Sequence, residues 1–145
     1  MQGANRGAER TYDLGDRLLD YAVRVLRLTE RMNATRAGNH VAGQLLRSGT
    51  SPLFNHGEAQ AAESPRDFVH KLRIVLKELK ESRSALQLVE RAPLVQPASE
   101  VDPLLAETEE LIRIIAASIR TAQKRVVGES SPEWNTDGSD ACVEN

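Results

Sequence analysis

Residues 64–93 read SPRDFVHKLRIVLKELKESRSALQLVERAP. Ser64 is a capping residue, Pro65 suits the first helical position, and Asp67 can return a bond to the cap. Phe68, Leu72, Val75, Leu79, Ser82, Leu86 and Val89 then recur at alternating steps of 4 and 3, the period of one helical face. Pro93 and Pro97 stop the run near Arg91, because proline cannot continue a helix. This is a long helix with one side for a core and one for water. Alone it cannot bury its stripe, so it needs partners of the same kind.

Three flanking segments supply them. From Asp13 to Met32, Leu14, Leu18, Tyr21, Val25, Leu28 and Met32 form a first helical stripe. A Gly/Asn stretch, Asn33 to Asn39, reads as a connection. A second helix, from about His40 to Ala62, carries Val41, Leu45, Leu46, Leu53 and Phe54, together with Gly43, Gly49, Gly57 and Pro52. Pro52 lacks an amide hydrogen, which predicts one bent helix or two short ones near Ser48–Ser51. Asp102-Pro103 opens the last helix. Its stripe is Leu104, Thr108, Leu111, Ile115, Ile119, Ala122 and Val126. Glu107, Glu109 and Glu110 lie early and Lys124-Arg125 late, which complements the helix dipole, and Gly128 is a suitable stop.

No alternating strand pattern competes. A chain of 145 residues suits one domain, and with only 3% aromatics its core is built from aliphatic side chains. The expectation is an all-α protein, an antiparallel up-down-up-down four-helix bundle over residues 12–127, with the second helix kinked or broken near Pro52. Residues 1–11 are expected to be a flexible arm and 128–145 a disordered acidic tail.

The formal charge of −2 is unevenly placed: residues 11–127 hold 17 Lys+Arg against 15 Asp+Glu, whereas residues 128–145 hold 5 acids and no base. That is not the strongly basic footprint of a dedicated nucleic-acid binder. Cys142 is the single cysteine, which excludes an internal disulfide or a cysteine zinc site and suits a reducing, cytoplasmic setting. No apolar stretch predicts a signal peptide or a membrane helix.

Catalytic patterns are incomplete. A di-metal bundle site needs two acid-x-x-His pairs, and Asp67-Phe68-Val69-His70 has no second copy. His56-Gly57-Glu58 lacks further ligands. Ser48, Thr50 and Ser51 lie in no strand-turn-helix elbow, and hydroxyls at such helical positions bond back to the preceding turn. Gly43 and Gly49 lack the spacing and lysine of a phosphate loop. No enzyme activity, cofactor, metal or small-molecule substrate is therefore expected.

Surface patterns say more. With Leu14 at 0°, Leu19, Val23 and Leu26 fall at about 140°, 180° and 120°, opposite the main stripe of the first helix. Every helix of a four-helix bundle is peripheral, so a second apolar face predicts a partner surface. A weaker second stripe on the third helix adds Ile74 and Leu88. Arg47, Asn55 and Glu58 are read as a polar network on the second helix, serving either the kink or a subunit contact. Arg17, Arg24, Arg27 and Arg31 could form a basic patch.

The central segment, Gln44-Leu45-Leu46-Arg47-Ser48-Gly49-Thr50-Ser51, then Asn55-His56-Gly57-Glu58-Ala59, and Ser64 leading into Phe68-Val69-His70-Lys71-Leu72, resembles the bacterial "four helix bundle protein" family. The likeness runs from about Tyr12 to Arg125. That family was first noticed as reading frames within intervening sequences of large-subunit ribosomal RNA genes. It includes the accessory variability protein of diversity-generating retroelements. The resemblance implies a ring-like homo-oligomer, typically a pentamer. It also implies RNA or DNA and a reverse transcriptase as partners, through a basic surface. Two features depart from the family: Pro52 stands where a β-branched or small residue is usual, and the chain is not strongly basic. The function expected is a non-catalytic, homo-oligomeric scaffold or adaptor. The alternative is a nucleic-acid-binding accessory subunit of a mobile or rRNA-associated element.

Overall fold

The computed structural model describes residues 14–129. They form α1 (Leu14–Glu30), α2 (Arg36–Gln60), α3 (Pro65–Arg91) and α4 (Asp102–Glu129), with a 3-10 turn, Ala98–Val101, leading into α4. There is no strand among the described residues. Consecutive helices pack side by side and α1 closes more loosely on α4, so α1 and α3 are diagonal. Cross-helix pairs give the directions. Arg47 meets Glu81 and Glu58 meets Lys71, which makes α2 and α3 antiparallel. Arg17 meets Glu107 and Arg31 meets Glu100, so α1 and α4 are antiparallel too. The expected all-α, up-down-up-down bundle is what the chain forms.

Local chemistry explains the boundaries. The Ser64 hydroxyl accepts from the Asp67 amide at 3.1 Å, so α3 begins at Pro65 as its sequence demands. α2 starts four residues earlier than expected because Thr35 caps it, accepting from the Gly38 amide at 3.0 Å. Gly38 reads as a breaker but is required: a Cβ there would strike the Asn33 carbonyl. Pro52 is buried inside α2. Of the two outcomes expected there, a single continuous helix is found. Thr50 Oγ1 bonds back to the Leu46 carbonyl at 2.7 Å, and the packing of this face outweighs a proline cost of roughly 3 kcal/mol. α4 grows straight out of the 3-10 turn, and it passes Gly128 to end at Glu129. The expectations for residues 1–11 and for the rest of the acidic tail fall outside the described residues.

The core is aliphatic along the predicted stripes, with Leu18, Val25, Leu45, Leu79, Leu111 and Ile115 fully buried. The α3–α4 connection helps close one end by burying Leu94, Val95 and Val101. Its Leu94 carbonyl accepts from the Asn33 amide at 2.9 Å, tying the two loops at that end together.

Four buried hydroxyls, one from each helix, interrupt this core. Thr108 Oγ1 donates to the Leu104 carbonyl at 2.7 Å. Its one proton is thereby used, so the Tyr21 hydroxyl, 2.7 Å away, donates to it. Ser82 is a further partner of Tyr21 and stands 2.9 Å from Ser48 Oγ. Burial pushes the Tyr21 phenol above its usual pKa, so it stays a neutral donor.

α1 and α2 approach closely at Gly49, where a Cβ would lie 2.6 and 2.7 Å from the two Val25 methyls. Gly49→Ala is therefore expected to destabilise the fold by about 1–3 kcal/mol, as overpacking does, in urea unfolding. Adding Val25→Ala to that chain should recover part of the loss; an unchanged midpoint for Gly49→Ala would refute the close approach. A second expectation concerns pH. His56 is buried against α1, and burial lowers its pKa below the usual value. As pH falls through about 6.5 the unfolded chain takes up a proton that the folded chain resists, so stability declines there. His56→Gln should lose less stability than the parent between about pH 7.5 and pH 5.5, and equal slopes for the two chains would count against it.

Candidate interaction surfaces

Leu19, Val23 and Leu26 lie on α1 outside the core stripe and are 48, 38 and 46% exposed. The flanks of α1 can be assigned. Arg17 and Arg31 reach toward α4, whereas Gly15 and Val25 meet His56 and Gly49 of α2. At about 100° per residue, Leu19 and Leu26 fall on the α2 flank and Val23 on the outer side. By the same reasoning Leu46, Leu53 and Phe54 fall on the α1 flank and outer side of α2. Phe54 is 67% exposed. The Gly15–His56 and Val25–Gly49 levels put Leu19 beside Leu53 and Phe54, Val23 beside Thr50, and Leu26 beside Leu46. Two helices thus contribute one apolar strip. Gly43 and Gly57 continue the α2 row at either end, and the space their Cβ atoms would take is open. Each costs helix stability by roughly 1 kcal/mol relative to alanine, and nothing within the protomer requires it.

Ile74 and Leu88, the second stripe expected on the third helix, lie apart from this strip. Both are on α3, diagonal to α1. Ile74 is half-buried on the α2 flank of α3, and Leu88 is exposed near its other end. Helical periodicity ranks faces of one helix but does not say which helices are neighbours.

The polar trio of α2 also divides. Arg47 bonds Glu78 at 3.1 Å and Glu81 at 2.6 Å. Glu58 pairs with Lys71 at 2.9 Å, and the Asn55 amide donates to Ser51 Oγ at 2.9 Å. Eleven residues of helix separate Arg47 from Glu58 by about 16 Å, so each meets a different turn of α3. They serve the α2–α3 seam and not a shared site. Burial raises the Glu78 carboxyl pKa, while the bond from Arg47 holds Glu81 below the usual carboxylate range.

Of the arginines expected to form a patch, Arg17 and Arg31 are engaged by Glu107 and Glu100. Arg24 and Arg27 are exposed beside them. A stronger basic feature lies on α3, where the sequence reading did not place it. Arg66, His70, Arg73, Lys77 and Lys80 recur at steps of 4, 3, 4 and 3 and are all exposed. Arg83 bonds Glu109 of α4, which marks the neighbouring flank. Arg66, His70 and Arg73 line a groove with Gln123 and Val126 of α4, and Arg120 and Lys124 extend the charge onto α4. None of these Lys and Arg side chains joins an ion pair among the described residues. The signal was available as a 4-3 cadence of cations. It was hidden because the apolar stripe beside it was read first.

Among the described residues no three His, Cys, Asp or Glu side chains gather as a metal would require. No helix among them is long and apolar enough to cross a membrane. His56 has a partner on its own helix, Gln60, at 3.2 Å.

Residues 12–117 match the family model described as 23S rRNA-intervening sequence protein. The fold is similar to the crystal structure, at 1.70 Å, of a protein with unknown function from the S23 ribosomal protein family of Bacteroides thetaiotaomicron VPI-5482. Identity is 30%, the TM-score is 0.67, and the match covers 72% of this chain and 96% of that one. No curated protein matches.

Proposed function

The chain belongs to the 23S rRNA-intervening sequence protein family, and within it we propose a non-catalytic, homo-oligomeric scaffold whose copies join through the α1–α2 apolar strip. The observation that carries this reading is the continuity of Leu19, Val23 and Leu26 with Leu46, Leu53 and Phe54 on one face. Fully burying a side chain of this size is worth roughly 1.5–3 kcal/mol, and a contiguous exposed patch marks an interaction site more often than scattered residues do. Open space at Gly43 and Gly57 lets a second backbone come close. If the α1 row of one copy meets the α2 row of the next, the contact is heterologous, the type that generates a ring when its rotation closes. Five copies is the number that the family resemblance implies. The non-catalytic part of the reading is supported by the buried polar groups, since Tyr21, Ser48, Ser82 and Thr108 are already committed to one another.

Leu19→Lys with Val23→Glu is expected to lower the mass seen in sedimentation velocity to that of a smaller species, with helical circular dichroism retained. Phe54→Glu should do the same from the α2 side. An unchanged mass in both folded variants would remove the strip from the interface.

The α3 row favours a second reading, a nucleic-acid-binding accessory subunit. Lysine and arginine in an exposed row neutralise backbone phosphates, and each contact contributes about one unit to the slope of log affinity against log salt. Binding of a labelled RNA or DNA oligonucleotide at roughly 50 mM salt should therefore weaken, and its salt slope flatten, in Arg73→Glu/Lys77→Glu. Arg24→Glu/Arg27→Glu should change it less. No measurable affinity for either nucleic acid at that salt would end this reading.

A further inference from the structure

We propose that the basic row of α3 is a docking surface for the chain's own acidic segment, residues 130–145. The row presents Arg66, Arg73, Lys77 and Lys80, all exposed and outside any ion pair among the described residues. Cations along the other seams are treated differently: Arg17, Arg31, Arg47, Lys71 and Arg83 each have a carboxylate from a neighbouring element. The α3 row therefore carries charge that no ion pair among the described residues engages.

Residues 130–145 carry the complementary charge. They include Glu133, Asp137, Asp140 and Glu144 and no Lys or Arg. These acids recur at steps of 4, 3 and 4. The described chain also ends where the row begins. α4 is antiparallel to α3, and its Val126 lines one groove with Arg66, His70 and Arg73, three residues before Glu129.

Reach is sufficient. From Arg66 to Lys80 the row spans about 21 Å of helix, and sixteen extended residues span at most about 50 Å. Tethering supplies the rest. Single exposed ion pairs contribute little, but a short covalent linkage gives an effective concentration in the millimolar range, at which several weak pairs suffice. Such a contact is reversible and salt-labile. It shields the α3 row from other polyanions until they displace it. The contact does not rest on the nucleic-acid reading, because it is measured in the protein alone.

Trp134 is the single tryptophan of the chain and lies among the acids, so it reports on this segment without a label. In the full-length protein at low ionic strength, docking protects Trp134 from the neutral quencher acrylamide. Raising salt to about 0.5 M, where the screening length falls well below 10 Å, should increase quenching. The same increase should appear at low salt in Arg73→Glu/Lys77→Glu. It should appear again when Glu133, Asp137, Asp140 and Glu144 are replaced by Gln, Asn, Asn and Gln, a change outside all four described helices. Arg24→Glu/Arg27→Glu should leave the quenching as in the parent. The proposal is overturned if quenching at low salt is the same in the parent and the α3 variant, or if the α1 variant is the one that releases Trp134.

Discussion

Tyr21, Ser48, Ser82 and Thr108 come from four different helices and meet in an otherwise aliphatic core, and the register of the bundle depends on their meeting. A buried hydroxyl without a partner costs about 1–3 kcal/mol. Sliding any helix by one turn would leave the aliphatic packing serviceable, since Leu, Ile and Val rows interdigitate in more than one register. It would strand the Tyr21 hydroxyl, whose partners all lie on other helices, and break the cross-helix contact of Ser82 with Ser48. The 2.7 Å contact of Tyr21 with Thr108 and the 2.9 Å contact of Ser82 with Ser48 thus select one alignment among several that hydrophobic burial alone would allow. Gly49 adds a steric condition at the same seam, because only a missing side chain lets α2 come this close to Val25.

That alignment organises the surface. Leu19 stands level with Phe54, and Leu26 with Leu46, only because α1 and α2 are held in this register. Three seams are edged by ion pairs between neighbouring elements, Arg47 with Glu78 and Glu81, Arg83 with Glu109, and Arg17 with Glu107. The outer rows of the α1–α2 seam are apolar instead. The outer side of α3 is basic. One small bundle therefore offers two faces of different chemistry on separate flanks, one suited to exclude water against another protein surface and one suited to polyanions.

The misreadings have physical causes. Gly38 and Asn39 read as a connection because glycine and asparagine favour loops, yet Thr35 supplies a cap and the Asn33 carbonyl leaves no room for a side chain at 38. At Pro52, by contrast, one of the two expected outcomes is realised, a continuous helix in which burial overrides propensity. Arg17 and Arg31 looked like a free patch since Glu107 and Glu100, far away in sequence, are brought beside them only by folding. The row from Arg66 to Lys80 could have been read directly, as a second periodicity beneath the apolar one.

The sequence by itself determined the all-helical class, the four segments and which face of each turns inward, because the 4-3 apolar period and the capping residues act locally. It also placed Ser82 and Thr108 among the inward positions and marked Leu19, Val23 and Leu26 as an outward apolar row. Tertiary structure alone decided which rows are neighbours. Packing consecutive helices in antiparallel order sets α1 beside α2 and diagonal to α3. That order joins the two apolar rows into one strip, consumes Arg17 and Arg31 in ion pairs, and leaves Arg66, Arg73, Lys77 and Lys80 of α3 outside any ion pair among the described residues. Neighbourhood across a bundle is a long-range property, and no local period encodes it.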